Sequence, residues 1–176
     1  IQAASIHRLG EVSPSAYSYP TTPPLPCQRA KIMRPKLIDL PDQDLLTGLI
    51  RGEAEGEDFI GKLAVACVVR TRKQDSRWPY SWKDVMLQPL QFSCLNDIPR
   101  HSPIPDRWWE MFSHKRCHLW WRECWATAWL VLNEYADDIT GGANHYCAPA
   151  LLDEMPDWAK DRQPIYKHGG HWFYNL

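Results

Sequence analysis

One apolar run constrains the fold more than any other feature of the chain. Residues 58–73 read DFIGKLAVACVVRTRK, with apolar or small side chains on most faces of a helix and basic ones only towards its end. Such a helix gains free energy only when other elements cover all of its apolar faces. Arg70 and Arg72 would lie near the carbonyl end, which favours positive charge. The run predicts a buried helix at the centre of a small domain.

Further helices and a small sheet are predicted around this core helix. Apolar residues at helical spacing predict a helix over 43–55, and a Trp-rich stripe predicts another within 106–135, with a shorter helical piece near 82–87. Near the C-terminus, GGANHYCA is a candidate strand. The β-prone runs IYKH and HWFY flank a Gly-Gly turn, which is typical of a hairpin. Helices followed by a small antiparallel sheet indicate an α+β fold.

Prolines divide the chain into two parts. Seven of the 15 prolines precede Asp42, in a stretch with little apolar periodicity. This predicts an extended or disordered arm over 1–41 and one domain over 42–176, which suits a chain of 176 residues. The arm is either a linker or strap, or a docking arm for a partner protein.

Charge and hydropathy exclude some classes of partner. The 20 basic and 21 acidic residues give a net charge of -1, so the chain lacks the positive surplus that a nucleic acid requires. No stretch approaches the roughly 18–20 apolar residues of a membrane span, and the first ten residues lack the pattern of a signal peptide. We therefore expect neither a nucleic acid partner nor a membrane span.

A carboxylate stands where helical periodicity predicts an apolar face. Glu53 follows the apolar residues of the first predicted helix at steps of three, four, seven and eight. Burial and the carbonyl end of the helix both favour the protonated form of such a group, which suits a general acid. Glu57 is the candidate second carboxylate, because a position at the start of the next helix would make it a plausible base. Alternatively, Glu53, Glu55 and Glu57 are all solvated charges at a frayed helix end.

The chain has ten Trp residues, and aromatic rings beyond the needs of a core often stack on sugar rings. Together with a buried acid, a cleft of loops and a small sheet, they favour glycoside cleavage. A sugar-binding module without catalysis is an alternative. The residues best placed for exposed stacking are Trp78, Trp82, Trp108, Trp158 and Trp172.

Histidine and cysteine residues make a zinc hydrolase the competing hypothesis. One group lies in a basic, Trp-rich helix and another in the predicted sheet, but neither has a recognised ligand spacing. We therefore expect no metal, no cofactor and mostly free thiols. The two groups are His114, Cys117 and His118, and His145, Cys147, His168 and His171.

Four motifs follow one another along the chain: GEAEGEDFIGKLAVACVVRTR, QFSC, DITGGANHYCAP and GGHWFY. In this order they resemble the cell-wall hydrolase family typified by the spore-cortex-lytic enzyme SleB. GEAEGEDFIGKLAVACVVRTR is similar to its GEARGE-like turn and AVA-x-V helix ending in Asn-Arg. QFSC, DITGGANHYCAP and GGHWFY are similar to its Gln-Phe-Ser segment, its D-x-T-G-G-A-T-x-Y/F strand and its closing G-x-H-x-F-Y strand. The likeness covers about residues 42–176. The chain departs from the pattern at Glu55, Thr71 and Asn144, where Arg, Asn and Thr are usual.

The resemblance implies a small lysozyme-like domain that cleaves the β-1,4 bond between N-acetylmuramic acid and N-acetylglucosamine in peptidoglycan. Glu53 matches the first Glu of the motif, and a lytic transglycosylase needs one such acid. A muramidase-type hydrolase using Glu57 and a zinc-dependent peptidoglycan amidase are the alternatives. The expected site of action is the bacterial cell wall, in the periplasm or outside the cell. The compact form with a Pro-rich arm favours a phage lysin, or a lysin that the arm attaches to a virion or another protein partner, over a spore enzyme.

The same motifs predict a groove that faces Glu53. Adjacent strand residues alternate sides, so one of each adjacent pair is expected to face the sugar, with Tyr146 and Tyr174 favoured. The predicted wall consists of Gln91, Phe92 and Ser93 on a loop, and His145, Tyr146, His171 and Tyr174 on the sheet.

Overall fold

The computed structural model describes residues 33–112 and 119–176. In these ranges helices come first and a small antiparallel sheet last, which confirms the predicted α+β class. The helices are α1 (Asp42–Ala54), α2 (Phe59–Gln74), α3 (Trp82–Met86), α4 (Asp106–Phe112) and α5 (Leu119–Leu132). The strands are β1 (His145–Cys147), β2 (Tyr166–His168) and β3 (His171–Tyr174).

The predicted core helix is buried as expected. The consecutive side chains of α2 from Ala64 to Val69 have no exposed surface, and α1 and α5 both pack against this helix. The N-terminus of α2 is fixed by Asp58, whose carboxylate accepts a hydrogen bond from the Gly61 amide at 2.9 Å. This cap ends the short loop after α1 and sets where the last turn of α1 lies relative to the rest of the domain.

The sheet has the order β1-β3-β2, and both pairs of strands are antiparallel. His145 pairs with Tyr174, and His168 pairs with His171 across the hairpin turn. Gly169 has a φ of +53° in this turn, a conformation that glycine adopts without steric cost. The predicted Gly-Gly hairpin is therefore present, and β1 lies at one edge of the sheet.

In the described part of the Trp-rich region lie α4 and α5. Residues 113–118 lie outside the described residues, and with them His114, Cys117 and His118, the first group of the alternative zinc hypothesis. On α5, Trp121 is buried, whereas Trp125 and Trp129 are partly exposed. Only part of the Trp-rich stripe therefore belongs to the core. In the described part of the chain, no helix is both long and apolar enough for a membrane span.

The domain includes residues before Asp42. Residues 37–39 form a short 3-10 helix, and the side chains of Leu37 and Leu40 belong to the hydrophobic core. Lys36 and Pro103 form an isolated antiparallel bridge. The end of the predicted arm is thus packed against the domain, while residues 1–32 lie outside the described residues. The division of the chain at residue 42 stays a prediction.

Candidate active site

Glu53 lies in the last turn of α1 and is held by three hydrogen bonds. Its Oε1 accepts from the Cys94 amide at 2.8 Å and from the Ser93 hydroxyl at 3.0 Å. Its Oε2 accepts from the Tyr146 hydroxyl at 2.9 Å. The side chain is half-buried, next to fully buried residues of α1. Donors from a loop and from the sheet therefore fix the carboxyl group.

The two carboxyl oxygens of Glu53 differ chemically. The Cys94 amide can only donate, so Oε1 remains an acceptor in every protonation state. The Tyr146 hydroxyl can donate or accept, so Oε2 can either carry a proton or accept one in a hydrogen bond. Burial, and then the nearby Glu53 carboxylate, raises the pKa of the Tyr146 phenol well above its ordinary value. Tyr146 therefore stays neutral, and Oε2 is the oxygen suited to proton transfer.

A cleft of about 760 Å³ opens at Glu53. The loop after α3, the β1 strand and the residues that follow it form its walls. Besides Glu53, five residues of the predicted groove line it: Gln91, Ser93, His145, Tyr146 and His171. Trp158 also lines it, the one cleft residue among the five expected stacking candidates. The described residues thus bring together an acid, polar side chains and an aromatic ring.

Two residues expected in the groove wall are buried in the core instead. Phe92 and Tyr174 are each 1% exposed, and neither lines the cleft. The favoured role of Tyr174 is thereby corrected. The adjacent β1 residues His145 and Tyr146 both line the cleft, and which of them faces the sugar stays a prediction. The strand has only three residues and lies at the sheet edge, so the cleft reaches both of its faces.

Glu57 faces the β2–β3 hairpin. Its Oε1 accepts from the Gly170 amide at 3.0 Å and lies 3.2 Å from Nδ1 of His171. A Cβ atom at Gly169 would lie 1.7 Å from its Oε2, so this glycine leaves room for the carboxylate. Glu57 does not line the cleft that contains Glu53. Through these contacts Glu57 connects the β2–β3 hairpin to the start of α2.

Arg72 is a charged residue of the cleft that the sequence analysis missed. It is 3% exposed, its Nε donates to the Asn144 carbonyl at 2.6 Å, and its guanidinium lies 4.3 Å from the Trp78 ring centroid. Burial lowers its pKa to about 10, opposed by the nearby Tyr146 and Glu53. The side chain therefore remains cationic at neutral pH. The sequence analysis explained the position of this charge by the helix dipole. The signal that could have identified Arg72 as a residue of the site was its predicted burial within an apolar helix.

The described residues contain no cluster of three or more His, Cys, Asp and Glu side chains suited to a metal ion. In the sheet, His168 lies 2.7 Å from the Asp58 carboxylate, and His171 faces Glu57. These two histidines therefore bind loop carboxylates. That no metal takes part in the activity stays a prediction. Cys67, Cys94, Cys124 and Cys147 are free thiols in the structure.

Comparisons with known proteins identify the family and the fold of this chain. A family model described as Cell Wall Hydrolase matches residues 56–174, more than half of the chain. The spore cortex-lytic enzyme of Halalkalibacterium halodurans is 28% identical over 134 residues, which are 76% of this chain and 34% of that protein. The chain thus spans about a third of the length of this curated relative. Glu53 precedes the range matched by the family model, so its assignment depends on the contacts described above.

Two solved structures share the fold. The catalytic domain of the germination-specific lytic transglycosylase SleB from Bacillus anthracis has a TM-score of 0.56 at 22% identity, and covers 76% of this chain and 93% of that one. The catalytic domain of the Bacillus cereus SleB protein has a TM-score of 0.57 at 23% identity, and covers 76% of this chain and 89% of that one. At this level of identity the likeness concerns the fold.

Proposed function

Since this chain belongs to the Cell Wall Hydrolase family, we propose that it degrades peptidoglycan by cleaving the β-1,4 bond between N-acetylmuramic acid and N-acetylglucosamine. The observation that carries the proposal is the position of Glu53, a carboxyl group fixed by Ser93, Cys94 and Tyr146 at the edge of a large cleft. The expected ligand is a glycan strand, and no cofactor is part of the proposal.

Glu53 acts in this mechanism as acid and then as base. Its protonated Oε2 donates the proton to the glycosidic oxygen, because this oxygen leaves readily only when protonated. The bond from that oxygen to C1 of the muramic acid residue breaks. The 6-hydroxyl of the same sugar attacks C1 and returns its proton to Glu53. The products are a strand with a new free hydroxyl and a 1,6-anhydromuramic end, and no water is consumed.

The lining of the cleft supports this route over hydrolysis. An inverting hydrolase needs a second carboxylate about 6.5–9.5 Å from the acid, and a retaining one needs a nucleophile at about 5 Å. Among the described residues that line the cleft, Glu53 is the one carboxylate. The carboxylate of Glu57 instead accepts a hydrogen bond from the Gly170 amide of the hairpin. A lytic transglycosylase needs no second carboxylate. A muramidase-type hydrolase remains the competing outcome of the experiment.

Mass spectrometry of muropeptides released from purified peptidoglycan tests the proposal. We expect anhydromuramic ends, lighter by one water than reducing ends. Glu53→Gln should fold normally and lose at least about 100-fold in rate, since a general acid typically contributes this much. The control is Glu55→Gln, because Glu55 is an exposed neighbour whose carboxylate lies 3.8 Å from Arg51.

Each other outcome points to a different reaction. Reducing ends alone would replace transglycosylation with hydrolysis. Products cut at the amide bond of the stem peptide, formed only when zinc is supplied and lost with EDTA, would indicate an amidase. Binding of glycan strands without any cleavage would indicate a sugar-binding module.

The substrate also sets where the domain acts. Peptidoglycan lies outside the cytoplasmic membrane, so the proposed activity takes place in the periplasm or outside the cell. Export, or release and delivery by a phage, would bring the domain there. Fractionation of cells that make the protein distinguishes these routes, because an exported enzyme reaches the periplasm without phage genes.

A further inference from the structure

We infer that Asn144 holds His145 as a neutral imidazole with its proton on Nδ1, so that Nε2 accepts a hydrogen bond from the bound sugar. The donor on the ligand is a hydroxyl or the acetamido N–H of an amino sugar. This inference rests on the proposed function for the identity of the ligand. The protonation of the ring can be measured independently of activity.

The orientation of the Asn144 side chain follows from its contacts with the C-terminal residue. Asn144 is 1% exposed, and its Oδ1 lies 2.9 Å from the backbone amide of Leu176. Its Nδ2 donates to the Leu176 carbonyl at 2.9 Å. A backbone N–H can only donate and a carbonyl can only accept, so these two bonds identify which side-chain atom is oxygen and which is nitrogen.

This oxygen determines the proton position on His145. The Nδ1 atom of His145 lies 2.8 Å from Oδ1 of Asn144. Because Oδ1 is an acceptor, Nδ1 must carry the hydrogen. The ring is then either a neutral tautomer with a bare Nε2 or a cation.

The surroundings of His145 decide between these two states. Its ring lies between the rings of Trp78 and Trp158, with centroid distances of 5.7 and 5.2 Å. Burial lowers the pKa of His145 to about 4, and the positive charges of Arg72 and Arg77 act in the same direction. The ring is therefore neutral near pH 7, and its Nε2 lone pair is available to a ligand.

We expect Nε2 to contact the ligand because of where His145 lies. His145 and Trp158 both line the cleft. Tyr146, which follows His145 in the sequence, donates a hydrogen bond to Glu53. No described residue forms a hydrogen bond with Nε2. An indole face suits a sugar ring, and a neutral acceptor beside it suits a ring hydroxyl or amide N–H. A nitrogen of such low basicity binds a hydrogen-bond donor and does not take its proton.

A Thr at position 144 would not have the effect that Asn144 has. A Thr hydroxyl can donate or accept, so it would not force the proton onto Nδ1 of the next residue. The carboxamide of Asn144, oriented by Leu176, removes that freedom. We therefore expect ligand recognition at this wall to depend on both residues.

The protonation is tested by a long-range ¹H–¹⁵N spectrum of the ¹⁵N-labelled protein at pH 7. The His145 resonances are those that disappear in His145→Phe. We expect one proton, on Nδ1, and an unprotonated Nε2 whose shift moves when N-acetylglucosamine tetramer is added to the Glu53→Gln variant. A proton on Nε2, or on both nitrogens, would overturn the inference even if the protein cleaves peptidoglycan.

The binding role is tested by kinetics on solubilised glycan strands. We expect His145→Phe to raise KM about five- to tenfold, as for the loss of one hydrogen bond, and to leave kcat nearly unchanged. In His145→Gln an amide group comes near the position of Nε2 and should restore part of the affinity. His101→Phe is the matched control, because His101 is exposed and does not line the cleft.

The kinetic outcomes separate the inference from the proposed function. An unchanged KM in His145→Phe, or a fall in kcat alone, would overturn the binding role of Nε2. If the unmodified protein cleaves no glycan, the proposed function fails. The spectrum of His145 and its response to the N-acetylglucosamine tetramer still decide the inference in that case.

Discussion

The hydroxyl of Tyr146 donates a hydrogen bond to Oε2 of Glu53 at 2.9 Å, although 93 positions separate the two residues in the sequence. Glu53 lies in the last turn of α1, and Tyr146 is the central residue of β1. The contact therefore joins the helical part of the domain to the sheet at the oxygen that we assign to proton transfer. Disturbing this contact is the most direct probe of the site.

Removal of the Tyr146 hydroxyl should slow cleavage without unfolding the domain. In Tyr146→Phe we expect kcat to fall roughly 10- to 100-fold, since a hydrogen bond to a charged group contributes about 1.5–3 kcal/mol. The ring should stay in place, because it packs against Phe173 at a centroid distance of 5.8 Å. Initial rates on peptidoglycan measure the effect.

Tyr166→Phe is the matched control for this experiment. Its ring packs against the same Phe173, at 5.6 Å, and Tyr166 does not line the cleft. This variant should retain its rate. A Tyr146→Phe protein with full kcat would show that the hydroxyl does not support Glu53 during the reaction.

The contacts of Glu57 predict a loss of stability and little loss of rate. In Glu57→Ala the Gly170 amide and Nδ1 of His171 lose their acceptor, which should lower the free energy of unfolding by about 1–3 kcal/mol. Glu57→Gln retains a carbonyl acceptor and should keep kcat within about threefold, whereas the loss of a general base costs roughly 100-fold or more. Urea unfolding and initial rates measure the two effects. A large rate loss in a stable Glu57→Gln protein would favour the hydrolase.

Gly169 should tolerate no side chain. Its φ is +53°, which costs an L-residue about 1–2 kcal/mol, and a Cβ atom there would overlap the Glu57 carboxylate. We therefore expect Gly169→Ala to lower the midpoint of thermal unfolding. Gly56→Ala is the control, because a Cβ at Gly56 would have no neighbour within 4 Å. An equal midpoint in the two variants would contradict the close fit of Glu57 against the hairpin.

Local sequence patterns were sufficient to predict α1, α2 and the hairpin, and to place Glu53 beside the apolar face of α1. Helical periodicity places Glu53 next to buried residues of α1, and the Gly-Gly pair predicts the hairpin. Both signals lie within a few residues along the chain. The α+β class and the central position of α2 follow from the same kind of pattern, because burial on all faces is visible in the sequence itself.

The partners of these residues could not be predicted in the same way. Phe92 and Tyr174 are buried because of how a loop and the last strand pack, which no periodicity in those short segments encodes. The positions of Arg72 and Glu57 depend on contacts with residues 72 and 113 positions away. Alternation along β1 does not say where a cleft ends, and both His145 and Tyr146 line the cleft.

The neutral state of His145 predicts a specific dependence of stability on pH. Its folded pKa is about 4, below the roughly 6.5 of an unfolded histidine, so the unfolded chain binds more protons between these values. The contribution of His145 to stability is therefore complete above about pH 6.5 and is lost as the pH falls towards 4. Arg72 and Arg77, the charges that act on the ring, keep their protons throughout this range. Urea unfolding between pH 4 and 7 should give a shallower decline for His145→Phe than for the unmodified protein, and identical slopes would show that His145 is protonated as readily in the folded state as in the unfolded one.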